Sequence, residues 1–279
     1  MSAVQGSLGA AIRGALLTGD AKGKVFATRK LVRDWRQGRL SADCPKDSWP
    51  EMPPRPAWPE ALVVSTPGQM PKRSKGTSEK GRIALWHALA HIEFVAIDLA
   101  LDIVGRFAAQ MVADLGADAA REFIDDFLSV AADEAMHFAL LDRKLATLGS
   151  YYTALPAHDG LWQAAEDTAH DAAARLAIVP MVLEARGLDV TPATLNRVRA
   201  QGDENGAKIL QRILDDEIRH VGFGAKHFER ISTVKGLESA ILWQNLVKTH
   251  FSGRLKGPFN DSARSAAGLP RDFYLGIAS

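Results

Sequence analysis

Two stretches of the chain, AADEAMHFALL and LDDEIRHVGFG, each set a glutamate three residues ahead of a histidine within an apolar run. The pairs are Glu134 with His137 and Glu217 with His220. A step of three residues turns a helix by about 300°, so each glutamate shares a helical face with its histidine. The second run and the residues just before it carry Ile209, Leu210, Ile213, Leu214, Val221 and Phe223, which reads as a buried helix. An ionised carboxylate on such a face is expensive unless something compensates it. Whatever this chain folds into must supply that compensation.

Two further glutamates suggest how. Glu93 stands among Ala90, Ala96 and Ile97 on the apolar face of one helical pattern, and Glu184 stands in VPMVLEARG on another. The order along the chain is Glu, Glu-x-x-His, Glu, Glu-x-x-His. Four converging carboxylates repel one another. Two divalent cations would cancel their charge, and two imidazoles would complete the ligand set. Carboxylates and imidazoles suit iron or manganese. Cys44 is the single cysteine, which excludes an intrachain disulfide and a thiolate cluster. The competing reading makes these residues surface ion pairs or buried structural histidines.

Asp133 and Asp216 each precede a pattern glutamate. Metal-bound histidines usually donate their far N–H to a carboxylate or carbonyl. A crossed arrangement is expected, Asp133 serving His220 and Asp216 serving His137, against a solvent-facing alternative. His87 and His91 are four residues apart, but His91 lies about 200° around the helix from Glu93, so both read as core or interface histidines. His158, His170, His227 and His250 have no comparable paired spacing.

The chain of 279 residues is long enough for a sizeable core, and its net charge of +1 implies no bulk polyanionic partner. Residues 1–40 are locally basic: Arg13, Lys22, Lys24, Arg29, Lys30, Arg33, Arg36 and Arg39 face only Asp20 and Asp34. That arm reads as a solvated helix face, with an anion or nucleic-acid patch as the alternative. Neither a secretory signal nor a membrane-spanning run is expected, so the default compartment is the cytoplasm.

Helices are expected at roughly 4–18 and 22–39, broken at Gly19-Asp20. A proline-dense stretch over 41–78 should be extended and, through Trp49 and Trp58, packed across a surface. Long helical patterns cover 79–113, 117–148 (closed by Gly149), 160–187 (with Pro180 inside and Gly187 as the stop) and 203–231. Shorter ones cover 191–201, opening at Thr191-Pro192, and 235–250. Strand-like alternation is nearly absent. Pro180 should kink the third long helix near Glu184, which opens a coordination position or serves packing alone.

With these motifs the chain resembles the ferritin-like superfamily and, more closely, the bacterial family DUF455. The resemblance rests on HALAHIE, DEAMHF, LEARGLDVTP, DDEIRHV and the tail LKGPFNDSARSAAGL. It implies an all-α fold: a ferritin-like four-helix bundle over 79–233, with N-terminal helices and the proline-rich lead-in over 1–78 and a C-terminal helix and tail over 234–279. It also implies a carboxylate-bridged pair of metals held by Glu93, Glu134, His137, Glu184, Glu217 and His220. The expected cofactor is two iron ions, with manganese or a mixed pair as the alternative. More distantly, the bundle resembles a bacterial tRNA hydroxylase acting on a hydrophobic adenosine modification.

The first functional expectation is an oxygen-dependent di-iron oxidase or hydroxylase. The second is metal storage, detoxification or ferroxidase activity without an organic substrate. The third is a binding protein that keeps its metal for structure. The expected partners are molecular oxygen, an unidentified small-molecule or RNA substrate and an unspecified electron donor. Homodimerisation is left open and no membrane partner is expected. Arg254, Lys256, Asn260 and Arg264 are candidates to line an entrance for an anionic substrate, with ordinary surface packing as the alternative.

Overall fold

The computed structural model describes residues 6–42, 49–66 and 78–278. Cys44 and the parts of the proline-rich stretch at 43–48 and 67–77 lie outside the described residues. The described chain is mostly helical. Its paired strands, β1 (Gly6–Ser7) and β2 (Leu40–Ser41), are two residues long and parallel. Among the described residues no helix is long and apolar enough to cross a membrane. The chain divides into two compact units, Met1–Ala109 with Phe127–Trp162, and Gln110–Asp126 with Gln163–Ser279.

The first unit opens with α1 (Leu8–Leu16) and α2 (Ala21–Arg36), which pack on each other. The expected break at Gly19-Asp20 is an N-cap: the Asp20 carboxylate accepts from the Gly23 N–H. In the basic arm, Arg29, Arg33 and Arg36 are exposed, as a solvated face requires. Lys24 is the exception. It is fully buried and forms an ion pair with Asp98 of α3 (Glu79–Leu115).

Every residue of α3 from Glu93 to Gly105 is buried, not only one face. The described part of the proline-rich stretch explains this. Trp49 donates its indole N–H to the Gly105 carbonyl at 2.7 Å, and Trp58 donates to Asp98 at 3.0 Å. Arg106 of α3 reaches the Pro53 carbonyl at 2.6 Å. Ala57 offers its carbonyl to Lys24 at 2.9 Å. Prolines in this stretch carry no N–H to satisfy, so side chains and carbonyls tie it down.

Gly116, at a φ of 87°, separates α3 from α4 (Ala117–Thr147), in a backbone region that favours glycine. Gly149 follows α4 at a φ of 68°, as the sequence suggests. The loop after it folds over α3. Its Ala157 pairs with Val64, and Ser65 donates to the Ala157 carbonyl at 2.8 Å.

The second unit departs from the expected helix boundaries. Instead of one helix over 160–187 there are α5 (Gly160–Asp167), α6 (Ala172–Ile178), a π-helical segment (Val179–Glu184) and α7 (Ala185–Ala200). Asp171 forces the first break by capping α6, accepting from the Ala174 N–H at 3.0 Å. Gly187 stops nothing, and the helix runs on through it. Pro192 lies inside α7 rather than in a first turn. It leaves the carbonyl four residues back, that of Leu188, without its helical donor. The Asn260 side-chain amide donates to that carbonyl at 3.1 Å.

Next comes α8 (Glu204–Val234), capped by Asp203, which accepts from the Gly206 N–H. It packs against α6, the π-helical segment and α7. The chain closes with α9 (Ser239–His250), α10 (Asp261–Ala266) and α11 (Arg271–Tyr274).

Candidate metal centre

Within the first unit, α3 and α4 bring Glu93, Glu134 and His137 together. Phe94 and Phe138, the next residue on each helix, pack with ring centroids 5.3 Å apart and set the register. The His137 Nδ1 lies 3.2 Å from Glu93 Oε2 and 3.2 Å from Glu134 Oε2. Glu134 and His137 are completely buried, and Glu93 is nearly so. Burial pushes the Glu93 carboxyl well above the ordinary range, and the neighbouring Glu134 charge pushes it further. Burial opposes charge on His137 as well, but hydrogen bonds and charge from Glu134 and Glu93 override it and raise the imidazole to about 11. Without a metal, such a cluster holds protons where a cation would sit.

Within the second unit, Glu217 and His220 are both buried on α8, with His220 Nδ1 3.8 Å from Glu217 Oε1. Glu184 ends the π-helical segment and is half-buried. The Ala185 N–H reaches back five residues to the Pro180 carbonyl, a π-helical bond at the place where Pro180 was expected to disturb the helix. The Pro180 ring sits directly against α8 at Gly224. A Cβ there would lie 2.5 Å from the Pro180 Cβ, so only glycine admits this approach.

Glu93, Glu134, His137 and Glu217 form a buried group that could hold a metal ion. Glu184 and His220, also expected as ligands, are not members of that group. The donor set fits a hard or borderline divalent cation: three carboxylates and an imidazole, with no sulfur. Such an ion would also relieve the repulsion that raises Glu93.

Of the two aspartates expected to orient the histidines, Asp216 is buried and accepts from Arg212 at 2.6 Å and Arg219 at 3.3 Å on its own helix. Asp133 is half-buried on α4.

His87 and His91 are buried in the first unit and are used by the loop after α4. Nε2 of His91 lies 3.0 Å from the His158 carbonyl, which can only accept, so that nitrogen carries the proton. Its Nδ1 then accepts from the Tyr152 hydroxyl at 2.8 Å. The His87 Nε2 accepts from the Thr153 N–H at 3.2 Å. Burial lowers both imidazoles to about 4, which keeps them neutral. Sequence reasoning did not single out Tyr152, which packs against both Phe94 and Phe138 beside the cluster. It sits in a loop without periodic pattern, so no local signal marks it.

The geometry defines a class: a helical protein with a buried carboxylate–imidazole cluster suited to a metal ion. The chain belongs to a family described as "Protein of unknown function (DUF455)", whose model matches residues 17–275. It is also similar to an uncharacterized protein of Haemophilus influenzae (strain ATCC 51907 / DSM 11121 / KW20 / Rd). The two are 41% identical over 226 residues, covering 80% of this chain and 77% of the relative. No solved structure matches the chain.

Proposed function

We propose that this chain is a ferritin-like non-haem di-iron protein that acts as an oxygen-dependent oxidase or hydroxylase. The observation that carries this reading is the buried set Glu93, Glu134, His137 and Glu217. A charged cluster this deep is costly to keep as a purely structural feature, because well-packed apolar residues of similar volume would serve stability as well or better. In this reading Glu184 and His220 complete the ligand set for two ions, and the long helices α3, α4 and α8, with the α6–α7 run, form the four-helix bundle. Manganese, or a mixed pair, would satisfy the same donors.

When bound, a pair of ferrous ions supplies electrons toward dioxygen. The chain's own groups do the rest. Glu134, Glu93 and His137 exchange protons for metal on loading. The apolar walls, including Phe94, Phe138 and Tyr152, keep bulk water away from the cluster. An external electron donor and an organic substrate complete the reaction, and the location is the cytoplasm.

The test is anaerobic loading with ferrous iron, metal counting, then exposure to oxygen. Two irons per chain and the Mössbauer signature of a coupled ferric pair are expected. Oxygen uptake that depends on both a reductant and a small molecule supports an oxidase or hydroxylase. Many irons per chain would support storage instead, and no bound iron or manganese would end the proposal.

A further inference from the structure

We propose that a cavity in the second unit, between the start of α7 and the C-terminal tail, binds a small phosphate-class oxyanion. The cavity measures about 130 Å³, and Leu183, Arg186, Asp189, Arg254, Lys256 and Arg264 are among the residues that line it. Four of these are cations and one is a carboxylate.

Arg264 is the built element. It was expected at a surface entrance, yet it is only 1% exposed. Its guanidinium lies 5.0 Å from the Phe259 ring centroid and 4.7 Å from that of Tyr274, which fixes its plane. Nε and Nη2 both donate to Asp189 at 2.8 Å, the forked geometry of a strong pair. Asp189 is thereby committed, since it also accepts from the Asn260 N–H at 3.0 Å. The remaining nitrogen, Nη1, is buried and has no hydrogen-bond partner. A buried guanidinium donor left without an acceptor is costly, and a bound oxyanion is the acceptor it lacks.

The other three cations are less tightly held. Arg186 donates to the Lys256 carbonyl at 2.7 Å, and its approach to Asp189 is only 3.4 Å. Among the described residues Arg254 and Lys256 meet no carboxylate. One buried, aromatic-clamped fork with three exposed cations around a single-group cavity suits a compact, multiply charged oxyanion better than a singly charged carboxylate. The cavity is too small for a polymer backbone, so the ligand is inorganic phosphate or a small phosphorylated molecule. Leu183 lines the cavity and directly precedes Glu184, so occupancy would bear on the π-helical segment. The site itself does not depend on any metal.

The experiment uses the full chain, titrated with inorganic phosphate at constant ionic strength held by potassium chloride, with and without EDTA. Saturable heat of binding and a rise in melting temperature are expected in both. The Arg254→Ala/Lys256→Ala double variant, which changes only exposed side chains, should melt normally and bind at least tenfold more weakly. Side-chain 15N resonances of Arg264 should shift on phosphate addition. The proposal is overturned by a response no larger than chloride gives, by unchanged affinity in the double variant, by an unmoved Arg264, or by a response that EDTA abolishes. Loss with EDTA would place the phosphate on a metal instead of in this cavity.

Discussion

Glu93 lies midway along an unbroken α-helix whose every neighbour from 93 to 105 is buried, whereas Glu184 closes a π-helical segment that begins beside a proline. The paired histidines differ in the same sense. His137 Nδ1 is 3.2 Å from Glu93 and from Glu134, and His220 Nδ1 is 3.8 Å from the Glu217 of its own helix. One region is fixed from several directions: Lys24, Trp58 and the loop carrying Tyr152 all tie down α3. The other sits on a wide turn that packs on α8 through the close approach of Pro180 to Gly224. The same sequence pattern therefore sits in two settings, an α-helix tied down along its length and a π-helical turn whose wider winding leaves room to adjust. That asymmetry is useful wherever ligand geometry must change with charge.

The comparison breaks most sharply at the ligands. Glu134→Ala should abolish binding of both metals, whereas Glu184→Ala should retain the first and weaken the second, read by metal analysis after dialysis. Equal losses would mean the halves are not distinct. Next is the Lys24–Asp98 pair. Lys24→Met strands a buried carboxylate, which burial already pushes up to about 6, and should destabilise the chain by about 3–5 kcal/mol in urea unfolding.

His87 and His91 add a pH signature to the rigid region. Their folded values, about 4, lie below the unfolded value of about 6.5, so the unfolded chain takes up protons first as the medium acidifies. Stability is fully present above pH ~6.5 and drains between ~6.5 and ~4, by about 1–3 kcal/mol per imidazole. A His87→Gln variant should lose about one proton from that acid-side slope, measured by unfolding across pH. In the adjustable region, Gly224→Ala should cost about 1–3 kcal/mol, because its methyl meets the Pro180 ring. It should also lower affinity for the second metal more than for the first.

Much of this asymmetry escapes a reading of the sequence, for identifiable reasons. The 3.6-residue period shows where α3, α4 and α8 run and which glutamates face inward, because burial imposes that period directly. The π-helical turn leaves almost no periodic trace. It adds one residue to a turn, and Pro180 alone reads equally well as a kink. Pro192 inside α7 misleads because its compensating donor, Asn260, lies far along the chain. Lys24 misleads for a related reason: seven neighbouring cations suggest a solvated face, and nothing local indicates that Asp98 awaits it.

The smallest expected effect contrasts two ion-pair clusters. In the second unit Glu122 meets Lys226 at 2.8 Å and Arg230 at 2.6 Å, with 44% of its side chain exposed. Hydrogen bonds from those two cations lower its carboxyl to about 2. Because the folded value lies below the unfolded one, the contribution is present above pH ~4 and is lost as pH falls through ~2. Solvent screens the pair, so Glu122→Gln should cost only about 0–1 kcal/mol at neutral pH, less again in 1 M salt. Lys24→Met should barely respond to the same salt, since ions cannot reach a pair with no exposed surface. If both variants showed the same salt dependence, the division into a sealed region and a solvated one would fail.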